Sequence, residues 1–380
     1  MVIRKGYKQT ELGIIPEDWD TKPLSECGKI TMGQSPESKY YNKSGDGLPL
    51  IQGNADIENR KTITRVFTSE FPKIGKVSDI IMTVRAPVGN IAKATFDCCL
   101  GRGVCSISYK NDYLYHYLIF IENSWKSMSS GSTFDSINYD GLSKIKIKIP
   151  KSTKEQELIA NNVSEIDKLI DSLESLIQKK KNIKQGAMQE LLTGKRRLEG
   201  FSGEWKFDTI KNLGKITTGS RNTQDKIDDG QYPFFVRSKK IERINSFSYD
   251  GEAVLTAGDG VGTGKVFHYI VGKFDFHQRV YKISDFNENL DGYFFYIYFR
   301  NYFLTRIMSM TAKSSVDSVR MEMISEMTIP LPDKNEQKAI SKILSDMDSE
   351  IEQLESLKEK YTNLKQAMMQ KLLTGEIRLV

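Results

Sequence analysis

Histidine, cysteine and tryptophan are scarce in this chain, whose 380 residues include three histidines, four cysteines and three tryptophans. His116, His268 and His277 stand at no metal-ligand spacing from one another or from a cysteine, which argues against metal chemistry. Cys27, Cys98, Cys99 and Cys105 form no C-x-x-C pair, and the adjacent Cys98 and Cys99 are too close for an ordinary disulfide. All four are expected to be packing residues in a reducing compartment. No uninterrupted apolar run approaches the ~18 residues of a membrane span, and Met1-Val2-Ile3-Arg4-Lys5 leads into polar sequence rather than an apolar signal core. A cytoplasmic protein without membrane association is expected. Charge is nearly balanced: 55 Lys and Arg against 49 Asp and Glu give +6, which permits a polyanionic partner without requiring one.

Catalytic signatures are missing as well. There is no Asn-Pro-Pro-Tyr or Asp-Pro-Pro-Tyr, the motif of amine methylation. The run Gly258-Asp259-Gly260-Val261-Gly262-Thr263-Gly264-Lys265 fails as a phosphate loop, with Asp259 where the first glycine belongs and Val266 where Ser or Thr belongs. It reads as a turn between strands, in the place that Arg85-Ala86-Pro87-Val88-Gly89 occupies earlier. Pro332-Asp333-x-x-Glu336-x-Lys338 resembles a nuclease metal triad only superficially, because it opens a periodic helix where acids act as caps and dipole partners. No catalytic, cofactor-binding or metal-binding residues are therefore assigned.

What the chain does have is a copy of its middle at its end. Lys184-Gln185-Gly186-Ala187-Met188-Gln189-Glu190-Leu191-Leu192-Thr193-Gly194 returns as Lys365-Gln366-Ala367-Met368-Met369-Gln370-Lys371-Leu372-Leu373-Thr374-Gly375. Ahead of each copy runs an apolar seam with alternating steps of four and three, the signature of one helix face: Ile159, Val163, Ile166, Ile170 and Leu173, then Ile340, Leu344, Met347, Ile351 and Leu354. Cap patterns open each helix, Ser152-x-x-Glu155 or Thr153-x-x-Gln156 and Asp333-x-x-Glu336, and a glycine, Gly194 or Gly375, suits a left-handed end. About 40 residues at ~1.5 Å rise make a rod of ~60 Å.

Acidic residues dominate the first half of each rod and lysines the second, Lys179, Lys180, Lys181 and Lys184 in one and Lys358, Lys360, Lys365 and Lys371 in the other. Antiparallel pairing sets acid against base, so an antiparallel coiled coil is expected; the competing arrangement packs each rod on its neighbouring domain.

The intervening segments are related more loosely. Trp19 and Gly28-Lys29-Ile30-Thr31-Met32-Gly33 match Trp205 and Gly214-Lys215-Ile216-Thr217-Thr218-Gly219. Ile81-Met82-Thr83 and Val88-Gly89 match Val254-Leu255-Thr256 and Val261-Gly262, and Asp112 and Asp291 each precede an aromatic helix. Strand-like runs such as Lys144–Pro150 lead into the rods. The expected fold class is α+β: two pseudo-repeated α+β domains, 1–150 and 196–332, separated by two long helices, 151–195 and 333–380, forming an antiparallel coiled coil with approximate two-fold symmetry.

Two variable domains, each followed by a long helix that begins after Ile-Pro near Glu155-Gln156 or Glu336-Gln337 and ends in Leu-Leu-Thr-Gly, resemble the specificity subunit of type I restriction-modification systems along the whole chain. The resemblance implies that each domain is a target-recognition domain reading one half of a bipartite double-stranded DNA site. It implies paired helices that set the spacing and dock two methyltransferase subunits, with motor-nuclease subunits joining through the complex. S-adenosylmethionine, ATP and Mg²⁺ would belong to those partners and not to this chain. Two other readings stay open: a recognition subunit of a modification-only or related defence system, and a coiled-coil scaffold with no DNA role.

DNA contact needs Lys or Arg for phosphates and Arg, Asn, Gln or aromatic groups for base edges. Candidates in the first domain are Gln34, Lys39, Tyr40, Asn42, Lys43, Arg60, Lys61, Arg65, Arg85 and Arg102. In the second they are Arg221, Asn222, Lys226, Arg237, Lys239, Lys240, Arg243, Gln278, Arg279 and Lys313.

Overall fold

The computed structural model describes residues 3–123, 136–310 and 318–379. The chain divides into two compact units, Met1–Glu174 with Ser356–Val380, and Ser175–Glu355. This division cuts both long helices, whereas the sequence suggested domains and spacers as separate blocks. The reason is packing: the first turns of each helix join one core and its last turns join the other.

In the first unit, a six-stranded sheet runs in the order Lys29–Met32, Val104–Ser108, Ile80–Thr83, Ile91–Lys93, Lys61–Thr62 and Ile57–Glu58. A five-stranded sheet holds Cys98–Leu100 parallel to Leu48–Ile51. The core gathers Trp19, Ile80, Met82, Tyr113, Leu114, Ile147, Ile159 and Val163 with Met369, Leu372 and Leu373. Cys98, Cys99 and Cys105 are buried in these sheets, where desolvation pushes the Cys98 and Cys105 thiols up to about 12, in keeping with packing residues.

The second unit has one six-stranded sheet, Lys215–Thr218, Val280–Ser284, Tyr249–Ala257, Phe267–Phe276, Tyr232–Phe235 and Glu242–Ile244. Helix Gly292–Ser309 lays Phe294, Phe295, Phe299 and Phe303 into a core completed by Leu191, Leu192, Ile340 and Leu344. Asp291 caps that helix by accepting the Phe294 N–H at 2.9 Å, whereas Asp112 makes no such cap and pairs with Lys93.

The ladders shift one correspondence suggested by the sequence. Ile30 faces Ile107, which faces Ile80, while Ile216 faces Ile283, which faces Val254. Ile80, not Ile81, is thus the counterpart of Val254, and Arg85 becomes the counterpart of Asp259. Matching isolated bridges, Arg85 with Ser136 and Asp259 with Ser318, agree. The glycine repeated at the end of the first sheet strand is required in both units, because a Cβ at Gly33 would lie 2.1 Å from the Gly101 oxygen and one at Gly219 2.0 Å from that of Phe276.

Strands Lys146–Pro150 and Thr328–Leu331 lead into the long helices, Thr153–Leu191 and Lys334–Leu372. Ser152 Oγ accepts the Glu155 N–H and Asp333 Oδ1 the Asn335 N–H, so the cap oxygens act as read. Gly194 and Gly375 end the helices at φ 70° and 77°. Glu155 and Glu336, however, do not close capping boxes. Glu155, 2 % exposed, accepts Trp19 Nε1 at 3.2 Å and Arg378 Nε and Nη2 at 2.6 and 2.9 Å. Glu336, 1 % exposed, accepts Trp205 Nε1 at 3.2 Å and Arg197 Nε and Nη2 at 2.6 and 2.7 Å. The neighbouring Gln156 and Gln337 amides donate to the carbonyls of Pro150 and Pro332, tying each helix start to the strand before it.

Of the seam residues, Ile159, Val163, Leu173, Ile340, Leu344 and Ile351 are buried, while Ile166, Ile170, Met347 and Leu354 are half-buried. The helices pair antiparallel within each unit. Glu174 meets Lys358 at 2.8 Å and Asp167 meets Lys365 at 2.5 Å in the first. In the second, Lys180 meets Glu350 and Lys181 meets Glu355, both at 2.6 Å, and Lys184 meets Asp348. The expected fold class therefore holds, and both arrangements weighed for the rods contribute: the ends pack on domains and the pairing follows the charge halves.

Candidate nucleic-acid interface

In the second unit, several candidates converge where strands end. The Gln278 N–H donates to the Arg221 carbonyl at 2.9 Å, its side-chain amide to Asn222 Oδ1 at 2.6 Å, and the Arg279 N–H to His277 Nδ1 at 2.9 Å. Arg237 follows strand Tyr232–Phe235, and Asp259 follows Tyr249–Ala257. The Asp259 carboxylate receives Arg237 Nη1 at 2.8 Å on one oxygen and Arg279 Nη1 at 3.1 Å on the other. Burial, followed by the positive charge of Arg237, pushes the His277 imidazole below its usual range, consistent with Nδ1 acting as an acceptor. One edge thus presents three guanidinium groups and two amides, with the half-buried Asp259 carboxylate holding two of the guanidiniums.

Arg221 has a second task. Its Nε lies 3.1 Å from Asp275 Oδ2, and this fully buried carboxylate also accepts the Ser246 and Ser248 hydroxyls at 2.8 Å. The other candidates in this unit hold different partners. Lys226 and Lys240 face Glu242 at 3.8 and 3.0 Å, and Arg243 donates to the Gly230 and Gln231 carbonyls. Lys239 is exposed, and Lys313 lies outside the described residues.

The equivalent edge of the first unit carries different side chains. The Gln34 N–H donates to the Leu100 carbonyl at 2.8 Å, and the Arg102 N–H to Ser35 Oγ at 3.0 Å. Val84 N–H donates to the Gly103 carbonyl, which brings the exposed Arg85 beside them. Because Leu100 pairs with Ile51 as Phe276 pairs with Phe235, Arg102 corresponds to Gln278, Gly53 to Arg237 and Gly103 to Arg279. Nearby, Gln52 Nε2 donates to the Tyr41 hydroxyl at 3.0 Å. Lys39 sits 4.9 Å over the Tyr40 ring, Asn42 closes a turn onto Asp46, and Lys43 is exposed.

Arg60, Lys61 and Arg65 do not join this edge chemically. Arg60 is held by the Ile91 carbonyl at 3.1 Å and the buried Glu122 at 2.7 Å, Lys61 faces Asp171 at 3.6 Å, and Arg65 faces Asp56 at 3.8 Å. A cleft of about 800 Å³ in the first unit, lined by Lys22, Cys27, Tyr109 and Gln156 among others, includes none of the candidates. Sequence reasoning missed Asp259 and Asp275, since acids that orient arginines leave no local motif, and passed over Gln52. Among the described residues, no three His, Cys, Asp or Glu side chains converge as a metal site, and no helix is long and apolar enough to cross a membrane.

Comparison with known proteins follows the same two-part layout. The family model described as type I restriction modification DNA specificity domain matches residues 16–185 and again 202–360. A putative type I restriction enzyme MjaX specificity subunit of Methanocaldococcus jannaschii is 36 % identical over 202 residues, 51 % of this chain and 47 % of that protein. The chain thus spans about half the length of that relative. A type I restriction enzyme MjaVIII specificity subunit of the same organism aligns over 100 % of this chain and 99 % of its own length at 25 % identity. The crystal structure of the type I restriction-modification S subunit from M. genitalium superposes with a TM-score of 0.68 over 98 % of both chains at 15 % identity, which shows a shared fold.

Proposed function

The chain belongs to the type I restriction-modification DNA specificity family, and on that premise we propose that it is the non-catalytic subunit that reads DNA sequence for a multisubunit methyltransferase or restriction enzyme. Each unit reads one half of a bipartite duplex site. The paired helices set the interval between halves and dock two methyltransferase subunits, and motor-nuclease subunits join through that complex. S-adenosylmethionine, ATP and Mg²⁺ serve the partner chains, in the cytoplasm.

The observation that carries this reading is the pair of equivalent strand-end edges with different chemistry: Gln34, Arg85 and Arg102 stand on the backbone frame that elsewhere carries Arg221, Arg237, Asp259, Gln278 and Arg279. A repeated frame with changed hydrogen-bonding groups is what two readers of different base sequences require. Partner docking is supported by Leu169, Leu176 and Ile183, which recur at heptad spacing off the seam and are 38 %, 39 % and 47 % exposed.

Methylome sequencing of cells expressing the chain with its methyltransferase subunits tests the proposal. A bipartite motif is expected, and Arg237→Ala with Arg279→Ala should relax one half of it while leaving the other intact. Methylation without a bipartite motif, or relaxation of both halves together, would count against one half-site per unit.

A further inference from the structure

The turn after Asp259 carries a side chain that packing does not explain. Val261 is 99 % exposed at the tip of Gly260–Gly262. Single exposed aliphatic residues are common and need no account. This one sits on a braced turn. Thr263 donates its N–H and its hydroxyl to the Gly260 carbonyl at 3.0 and 2.7 Å, and the Lys265 and Val266 N–H groups both reach the Gly262 carbonyl at 3.0 Å. The turn passes so close to the neighbouring strand end that a Cβ at Gly262 would lie 2.5 Å from the Arg237 oxygen. Directly before it, Asp259 holds the guanidinium groups of Arg237 and Arg279. An apolar tip is therefore fixed beside two positive forks.

We propose that Val261 contacts a base, meeting the 5-methyl group of thymine in the major groove of duplex DNA while Arg237 and Arg279 reach guanine edges or phosphates beside it. This inference rests on the DNA-reading function proposed above. Charge complementarity selects the polyanion, since Arg237 and Arg279 meet at Asp259 directly before a tip with no charge of its own. The shape of the side chain selects the groove. Wedges that unstack bases from the minor groove are Phe, Leu, Ile, Met or Pro, whereas the thymine methyl at a major-groove edge is met by methyl-bearing groups such as those of Ala or Thr, which the branched head of valine resembles. In the first unit the exposed Pro87 lies on the corresponding turn, with Arg85 in place of Asp259, so the two edges would differ in the base that they prefer.

The test uses the full chain with co-expressed methyltransferase subunits. Selection from a randomised duplex library first defines the preferred site; each thymine of that site is then replaced by uracil, which removes only the methyl group. One position is expected to show a loss of about fourfold in affinity for the wild type, the worth of one buried methyl. Val261→Ser should show the same loss on the thymine site and no further loss on the uracil site. Specific binding in which no thymine-to-uracil change matters, or in which Val261→Ser keeps the wild-type sensitivity, overturns the inference and leaves the functional reading standing. Failure of the wild type to select any site defeats both.

Discussion

Arg378→Ala should unfold the first unit far more readily than the loss of a surface arginine would suggest. Glu155 is 2 % exposed, and its carboxylate is neutralised by the two Arg378 bonds of 2.6 and 2.9 Å, with the Trp19 indole its one other side-chain donor among the described residues. Removing one partner of such a pair leaves a buried charge uncompensated, at a cost of about 3–5 kcal/mol. Arg378 reaches solvent at 22 %, so water can partly replace it, and its contact to the exposed Asp18 adds little. The expected loss is therefore near the lower bound, about 3 kcal/mol. Urea titration followed by hydrogen exchange, read separately on peptides of each unit, measures it without assuming two-state behaviour of the whole chain. Arg378→Lys should recover little, since an ammonium cannot reproduce the two-point fork, whereas Glu155→Gln with Arg378→Ala should recover part of the loss. A loss below about 1 kcal/mol, or full recovery by lysine, would show that Glu155 does not depend on the guanidinium. Arg197→Ala is the internal control, because Glu336 and Trp205 repeat the arrangement in the second unit.

His116 supplies a pH dependence. Burial, then the charge of Lys365, lowers its imidazole from the usual 6.5 to about 4, outweighing Asp112 and the Asp167 carboxylate 3.9 Å away. The unfolded chain therefore binds the proton first, so stability is full above pH 6.5 and falls by about 3 kcal/mol as pH drops toward 4. His116→Gln should flatten that slope in urea midpoints, and an unchanged slope would reject the assignment. Lys184→Glu should destabilise the second unit by about 1 kcal/mol and Asp348→Lys should rescue it, with calorimetry of the four-member cycle showing a favourable coupling; zero coupling would deny the pairing. Residues 1–200 should form a homodimer, because Leu191, Leu192, Gly194 and Arg197 of one copy repeat Leu372, Leu373, Gly375 and Arg378 and can dock at Glu155 of the other. Sedimentation of this fragment as a stable monomer at micromolar concentration would contradict that equivalence.

The parts of this fold that were legible in the sequence are those on which packing imposes the same demand twice. Ile159, Val163, Ile340 and Leu344 each enter a domain core, and Gly194 and Gly375 each take a backbone angle that other residues resist, so both copies keep the same residue types at the same spacing. The buried Trp–Glu–Arg clusters answer the same demand but were not visible, because Trp19, Glu155 and Arg378 come from distant parts of the chain and a glutamate near a helix start resembles a cap. The strand-end edges show the opposite limit. Their side chains project from positions where no core constrains them, so Arg85 and Asp259 occupy one place with opposite charges, and local matching of Val88-Gly89 to Val261-Gly262 slips by a residue. In a sheet, a slip of one exchanges the inward and outward faces, and only the ladder from Ile30 through Ile107 to Ile80 resolves it. The same freedom that hides these residues from pattern reading lets one frame carry two different sets of hydrogen-bonding groups. An edge that must vary to read different sequences therefore has to lie where the core leaves side chains unconstrained, and the exposed Arg85 and Arg102 of one unit and Arg237 and Arg279 of the other lie at such strand ends.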